Sequence, residues 1–163
     1  NFGLFLMIYL ILCRVIELII SAKNTKKLIS QGAIELYPFH YKFLVFFHII
    51  FIFYFLTKSL NNSVVDNNFL YAFIFVQFVR FKVIYDLGKF WTTRIIVYKK
   101  KKLIKTGLYK YFKHPNYMVV FLEVLLISLI FNDIKALLFF CNINTLLIFI
   151  RIYYEEKANA DRY

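Results

Sequence analysis

Apolar runs return along this chain every few tens of residues, separated by short segments in which the lysines gather. About 20 predominantly apolar residues cross a hydrocarbon core about 30 Å thick as a helix, and shorter runs suffice where aromatic or basic residues sit at the interface. Five segments qualify: Phe2 to Ile20, Phe43 to Leu56, Phe69 to Tyr85, Tyr117 to Phe131 and Ile134 to Ile150. Only Asn132 and Asp133 separate the last two, which predicts a tight helical hairpin at the C-terminal end. The expected fold is all-α, a polytopic membrane helical bundle of about five transmembrane helices. At 61% hydrophobic residues the chain carries more apolar surface than a soluble domain can bury, so the excess must meet lipid. No Pro-, Gly- or Ser-rich stretch interrupts it, and residues 1–163 are expected to form a single domain.

A formal net charge of +12 raises the possibility of nucleic acid as a partner, but its distribution argues for membrane topology instead. The segment after the first run carries Lys23, Lys26, Lys27 and Lys42 against Glu35, and that after the second only Lys58 against Asp66. The segment after the third sets Lys89, Arg94, Lys99, Lys100, Lys101, Lys102, Lys105, Lys110 and Lys113 against Asp86. Basic loops face the cytoplasm, so five spans from an external N-terminus put both basic loops and the C-terminus inside, as expected in a bacterial cytoplasmic membrane. The first run is expected to be a retained span rather than a signal peptide, because it holds Arg14 and Glu17 and lacks Ala-x-Ala-like cleavage chemistry. Cys13 and Cys141 lie in apolar runs and suggest packing, not a disulfide or zinc site. The cluster of Asn61, Asn62, Asn67 and Asn68 needs no more than the codon bias of an AT-rich genome.

Charges at bilayer depth are costly unless paired or solvated inside the protein, so each one marks a polar interior or a site. Arg14, Glu17, Ser21 and Asn24 fall on one helical face, which should point into the bundle. His40 and His48 also share a face, but without Cys, Asp or Glu at ligand spacing they do not suggest metal. Gln77 and Arg80 are three apart near the inner end of the third run, where Arg80 and Lys82 are expected to snorkel to headgroups. Glu123 has no basic residue at helical spacing in its own run and needs a partner from another helix or from a ligand.

Two polar clusters remain. Lys113-His114-Pro115-Asn116-Tyr117 stands before the fourth run, with Pro115 suited to a first helical turn, so open N–H groups at Asn116 and Tyr117 can meet an anion. A plain helix start explains the same residues. Arg151 and Glu155, four apart at the inner end of the fifth run, share a face, and a surface ion pair worth a few tenths of a kcal/mol explains them. The fifth run nevertheless returns to the side that holds His114, so the two clusters can close over one pocket. The four glycines form no Gly-rich nucleotide loop, which excludes a Rossmann-type cofactor site.

Taken together, these residues make the chain similar to the isoprenylcysteine carboxyl methyltransferase family, especially its bacterial members. The likeness runs through Arg14-Val-Ile-Glu17-Leu with Asn24, Gln31-Gly-Ala-Ile-Glu35, His40-Tyr41, and Gly88-Lys-Phe-Trp91-Thr92-Thr93-Arg94-Ile95. It continues through Gly107-Leu-Tyr109, Lys113 to Tyr117, Leu122-Glu123, and Arg151 with Glu155-Glu156. The resemblance implies a membrane enzyme that holds S-adenosylmethionine near the cytoplasmic surface and takes a lipophilic or lipidated methyl acceptor from the bilayer, without metal or nucleic acid. It implies that Tyr109, His114, Pro115, Asn116 and Tyr117 bind this cofactor, that Leu103 and Ile104 line it, that Glu155 is a cofactor carboxylate, and that Arg151 serves the acceptor and catalysis. Leu108 stands where many members have Pro, and Lys113 where Arg commonly precedes His-Pro; Lys keeps the charge but not the bidentate fork. Rival expectations are an N-methyltransferase of phospholipid amines, an NADPH-dependent membrane reductase with a related core, and a non-enzymatic scaffold or transporter subunit.

Overall fold

The computed structural model describes residues 1–61, 65–99 and 102–160; Asn62, Lys100 and Lys101 lie outside them. Among the described residues five α-helices carry the fold: α1 Phe2–Ser30, α2 Pro38–Leu60, α3 Leu70–Leu87, α4 Pro115–Ile130 and α5 Ile134–Ala158. Three of them, α1, α2 and α5, are long and apolar enough to cross a membrane. The helix α4 is apolar but has 16 residues, and α3 has 18 and carries Arg80, Lys82 and Asp86. The helices run past the apolar segments that announce them: α1 continues ten residues beyond Ile20, and α2 begins five before Phe43. Polar residues within these extensions keep one face buried, as Ser21, Thr25 and His40 do.

Local chemistry fixes the helix ends. The Asn1 side chain accepts from the Leu4 N–H at 3.2 Å, and Asp133 accepts from the Ala136 N–H at 2.9 Å. Pro38 and Pro115 open α2 and α4, where a missing N–H costs nothing. The expected hairpin between α4 and α5 turns through Asn132 in the left-handed region at φ 48°. At this end the Asn1 side chain donates to the Ser59 carbonyl, Lys58 pairs with Asp133, and the Asp66 N–H donates to the Ile130 carbonyl at 2.7 Å. The other end gathers the α1–α2 connection, the long α3–α4 connection and the end of α5.

An aromatic column of Phe47, Phe51 and Phe55 on α2 packs on Phe140 of α5, with ring centroids 5.2 to 6.0 Å apart. Outward, α2, α3 and α5 present Phe46, Phe53, Phe75, Phe78, Phe139 and Phe149 to the surroundings. A contiguous apolar exterior of this kind is what lipid covers.

Between the layers lies a charged knot that no single run reveals. Arg80 is 4% exposed and binds both Glu17 and Glu123, the latter at 2.8 Å. It does not snorkel, because two buried carboxylates neutralise it where it stands. Arg14 binds Glu17 at 2.7 Å and also Glu123, while the Gln77 amide donates to Glu123 at 2.8 Å and accepts from Tyr9 at 3.2 Å. Two arginines face two carboxylates across three helices, so the group is neutral as a whole.

The all-α expectation omits one small element. Strands β1 Ile34–Leu36 and β2 Ile95–Val97 pair antiparallel, Glu35 opposite Ile96. Arg94 holds Glu35 at 3.0 Å and lies over the Tyr41 ring at 4.9 Å. This ribbon closes the loop end of the bundle.

Candidate active site

The α3–α4 connection first folds back along α1. The Asn24 amide donates to the carbonyls of Gly88 at 3.1 Å and Trp91 at 2.8 Å, and the Ser21 hydroxyl accepts from the Thr93 N–H at 2.8 Å. The polar face of α1 thus binds residues 88–93 as a second strap across the bundle. Farther on, Asp86 accepts from the Leu108 N–H at 3.0 Å, and Gly107 adopts φ +59°. A Cβ at position 107 would stand 2.1 Å from the Asp86 Oδ2, so only glycine permits this closure. The turn aims Tyr109 inward, where burial and the carboxylates of Glu155 and Asp86 push its phenol well up, and it stays protonated.

These segments, with the starts of α4 and the end of α5, enclose a cavity of about 420 Å³. Leu103, Ile104, Tyr109, His114, Asn116, Tyr117, Arg151 and Glu155 all line it. The ninth residue singled out, Pro115, is buried at the first turn of α4 and sets its start. Of the two amides expected to be open, that of Tyr117 is spent on the His114 carbonyl at 3.2 Å. Side chains carry the polarity instead. The Tyr117 hydroxyl donates to Glu155 and accepts from the Arg151 Nε at 3.2 Å, while the Arg151 Nη2 donates to the Thr93 carbonyl at 2.8 Å. Arg151 and Glu155 are therefore not a surface ion pair. Behind them Glu156 ties Lys113 at 2.7 Å and His114 at 3.2 Å to the end of α5.

A smaller cavity of about 180 Å³ adjoins the first, between α1, α2, α4 and α5. Leu18, Leu44, Val45, Ile49, Ile52, Val120 and Ile148 give it an apolar wall, and Ile49 and Leu18 are exposed on the bundle's exterior. Trp91, Thr92, Asn116, Tyr117 and Arg151 line both cavities. Two buried donors in this shared wall, the Trp91 Nε1 and the Arg151 Nη1, have no hydrogen-bond partner among the described residues. Trp91 and Thr92 escape residue-by-residue reading, because nothing in Trp-Thr-Thr by itself signals a site. Ser21 and Asn24 are the available clue, since a polar face on α1 must bind something.

The model of the isoprenylcysteine carboxyl methyltransferase (ICMT) family matches residues 69–161, from the start of α3 to the end of α5. The chain belongs to this family. It is 35% identical over 153 residues to the uncharacterized protein YpbQ of Bacillus subtilis (strain 168), covering 91% of each. It is 29% identical over 150 residues to an uncharacterized protein of Haemophilus influenzae, covering 89% of this chain and 87% of that one. ICMT membership identifies a membrane methyltransferase, a class that generally uses S-adenosylmethionine. The family model begins after α1 and α2, so the wall these helices give the smaller cavity lies outside the matched segment.

Proposed function

We propose that the protein transfers a methyl group from S-adenosylmethionine to a carboxylate or hydroxyl oxygen of a lipophilic acceptor at the cytoplasmic surface of a bacterial membrane. In this reading α3 and α4 are the remaining two of five crossings, with the N-terminus outside and the C-terminus inside. The strongly basic α3–α4 connection supports that orientation.

The observation that carries the reading is the shared wall. A cavity of mixed polar and apolar lining opens at the basic end, a more apolar one opens toward the lipid side, and Arg151 and Tyr117 stand between them. The larger cavity falls within the range of about 300–1,000 Å³ usual for small-molecule sites. Its donor set fits S-adenosylmethionine: a carboxylate and a phenol on one side, Tyr109 and Trp91 faces for a sulfonium, and Leu103 and Ile104 for an apolar ring. When bound there, the cofactor supplies an electrophilic methyl group.

The chain's own residues then do the rest. Glu155 and Tyr117 hold the cofactor, and the neutral Tyr109 phenol adds a face without adding charge. Arg151 has its Nε and Nη2 fixed by Tyr117 and Thr93, which leaves Nη1 to orient an acceptor oxygen at the junction. A guanidinium keeps such an oxygen ionised yet nucleophilic, so an acidic acceptor needs no general base. Displacement at a methyl group depends on approach geometry and exclusion of water, which two abutting cavities provide.

Calorimetry of S-adenosylhomocysteine with detergent-purified protein tests this function. Saturable binding that Tyr117→Ala and Glu155→Ala both lose is the expected result. Its absence in a folded sample overturns the proposal, and binding of NADPH in its place identifies a reductase.

A further inference from the structure

Three polar groups in or beside the smaller cavity take no part in the reaction outlined above: His48 and Arg14 line it, and Asn144 stands in the wall one helical turn from it. His48 lines that cavity, and its Nδ1 lies 2.8 Å from the Leu44 carbonyl one turn back on α2. A carbonyl only accepts, so Nδ1 carries the ring proton, and the neutral ring offers Nε2 to the cavity as an acceptor. Arg14 lines the same cavity, and its Nε has no partner among the described residues. Asn144 is 0% exposed, and neither atom of its amide has a hydrogen-bond partner among the described residues. It lies on the buried face of α5 one turn from Ile148, a lining residue of the cavity. Buried polar groups are normally hydrogen-bonded, so an amide with both atoms unsatisfied calls for a partner.

Their depth follows from how α2 and α5 pack. His40 meets the Tyr154 ring at 5.8 Å near the loop end, and Phe47 meets Phe140 at 6.0 Å farther along, so the two helices run antiparallel. His48, next to Phe47, is therefore level with the stretch of α5 that carries Asn144. Arg151 follows Asn144 by seven residues on α5 and so lies roughly 10 Å nearer the loop end, at about 1.5 Å per helical residue.

We propose that His48, with Asn144 in the wall beside it, forms a second recognition site for the acceptor, binding a hydrogen-bond-donating group, a hydroxyl or an amide N–H, about 10 Å from the methylated oxygen. The inference rests on the proposed reading of the smaller cavity as the acceptor site. An acceptor that satisfies it is not a plain hydrocarbon acid. It bears a polar group partway along its chain, and a purely aliphatic chain leaves the His48 Nε2 without a partner.

Trp91 is the chain's one tryptophan and lines both cavities, so its fluorescence reports occupancy directly. The test titrates the nanodisc-embedded protein with two amphiphiles of equal chain length, N-octanoyl-8-aminooctanoate and heptadecanoate. The first has an amide N–H at a comparable distance from its carboxylate. Wild type should bind the amide-bearing chain about 10-fold more tightly, the worth of one well-made buried hydrogen bond, and His48→Leu and Asn144→Leu should each bring the two affinities to within about 2-fold. Equal affinities in wild type mean that only water meets these groups and overturn the proposal. A preference that survives both substitutions, or no saturable change with either chain, also overturns it. Calorimetric binding of S-adenosylhomocysteine by the same samples shows that the variants are folded. It also separates failure of this site from failure of the methyltransferase reading.

Discussion

Arg151 and Glu155, four residues apart on α5, are joined through the Tyr117 hydroxyl, which accepts from the arginine and donates to the carboxylate. One phenol thus links Arg151, which lines both cavities, to Glu155, which lines only the larger one. The hydroxyl makes a charge-assisted bond in both directions, so it fixes the distance between the two side chains.

Removing that hydroxyl while keeping the ring should separate its two roles. Tyr117→Phe is expected to lower kcat/KM for methyl transfer by about 10- to 100-fold, the range for losing hydrogen bonds to charged groups. The fall in kcat should exceed the loss of S-adenosylhomocysteine affinity seen by calorimetry, because the ring still walls the cavity. Unchanged kcat would show that Arg151 and Glu155 hold their positions without the phenol.

Gly107 is a steric requirement. Gly107→Ala sets a methyl group against the Asp86 carboxylate and strains a backbone at φ +59°, at a cost of about 1–3 kcal/mol. Because the turn carries Tyr109 into the cavity, the expected result is weaker S-adenosylhomocysteine binding with the helical circular-dichroism signal intact. Asp86→Ala in the same chain should recover part of the affinity, by removing the clash but not the strain. Full affinity in Gly107→Ala alone would show that this turn does not position the site.

The helices were legible because lipid imposes a length on them, and the hairpin because Asn132 and Asp133 leave room for nothing else. The cavity lining was legible at His114, Asn116, Tyr117, Arg151 and Glu155, where polar residues crowd the ends of apolar runs, and at Leu103, Ile104 and Tyr109 only through the family resemblance. Trp91 and Thr92 were not, since their place depends on Asn24 and Ser21 binding a loop some 70 residues away in sequence. Arg80 misleads for a related reason. Near a helix end a lone arginine resembles a snorkelling one, and only the arrival of Glu17 and Glu123 from two other helices makes burial the better solution. Long-range pairing of this kind leaves no local trace.

At the opposite end Asp133 gives a pH dependence of known sign. Burial alone would raise its carboxyl, but hydrogen bonds from Lys58, the Ala136 N–H and Tyr54 outweigh it and hold the group at about 2, against an ordinary 3.8. A depressed carboxyl stabilises the fold fully above its unfolded value and loses that contribution as pH falls through the folded one. The thermal midpoint of wild type should therefore exceed that of Asp133→Asn by a constant margin from pH 7 down to about 4, and the margin should close toward pH 2. A margin that stays constant to the lowest pH at which the protein folds would show that the charge of Asp133 contributes nothing.

The neutral knot of Arg14, Arg80, Glu17 and Glu123 makes the sharpest stability prediction, because its balance is of whole charges in a place with little water. Glu123→Gln keeps the shape but leaves two buried arginines sharing one carboxylate, and breaking a buried pair costs about 3–5 kcal/mol. The variant should melt well below wild type in detergent. Adding Arg80→Gln restores neutrality, with Arg14 and Glu17 left as a pair at 2.7 Å, and should regain part of the loss rather than compound it. Equal midpoints for wild type and Glu123→Gln would mean that the arginines are hydrated and that the knot contributes nothing as an ion network. A double variant less stable than either single one would mean that its geometry, not its charge balance, is what the bundle needs.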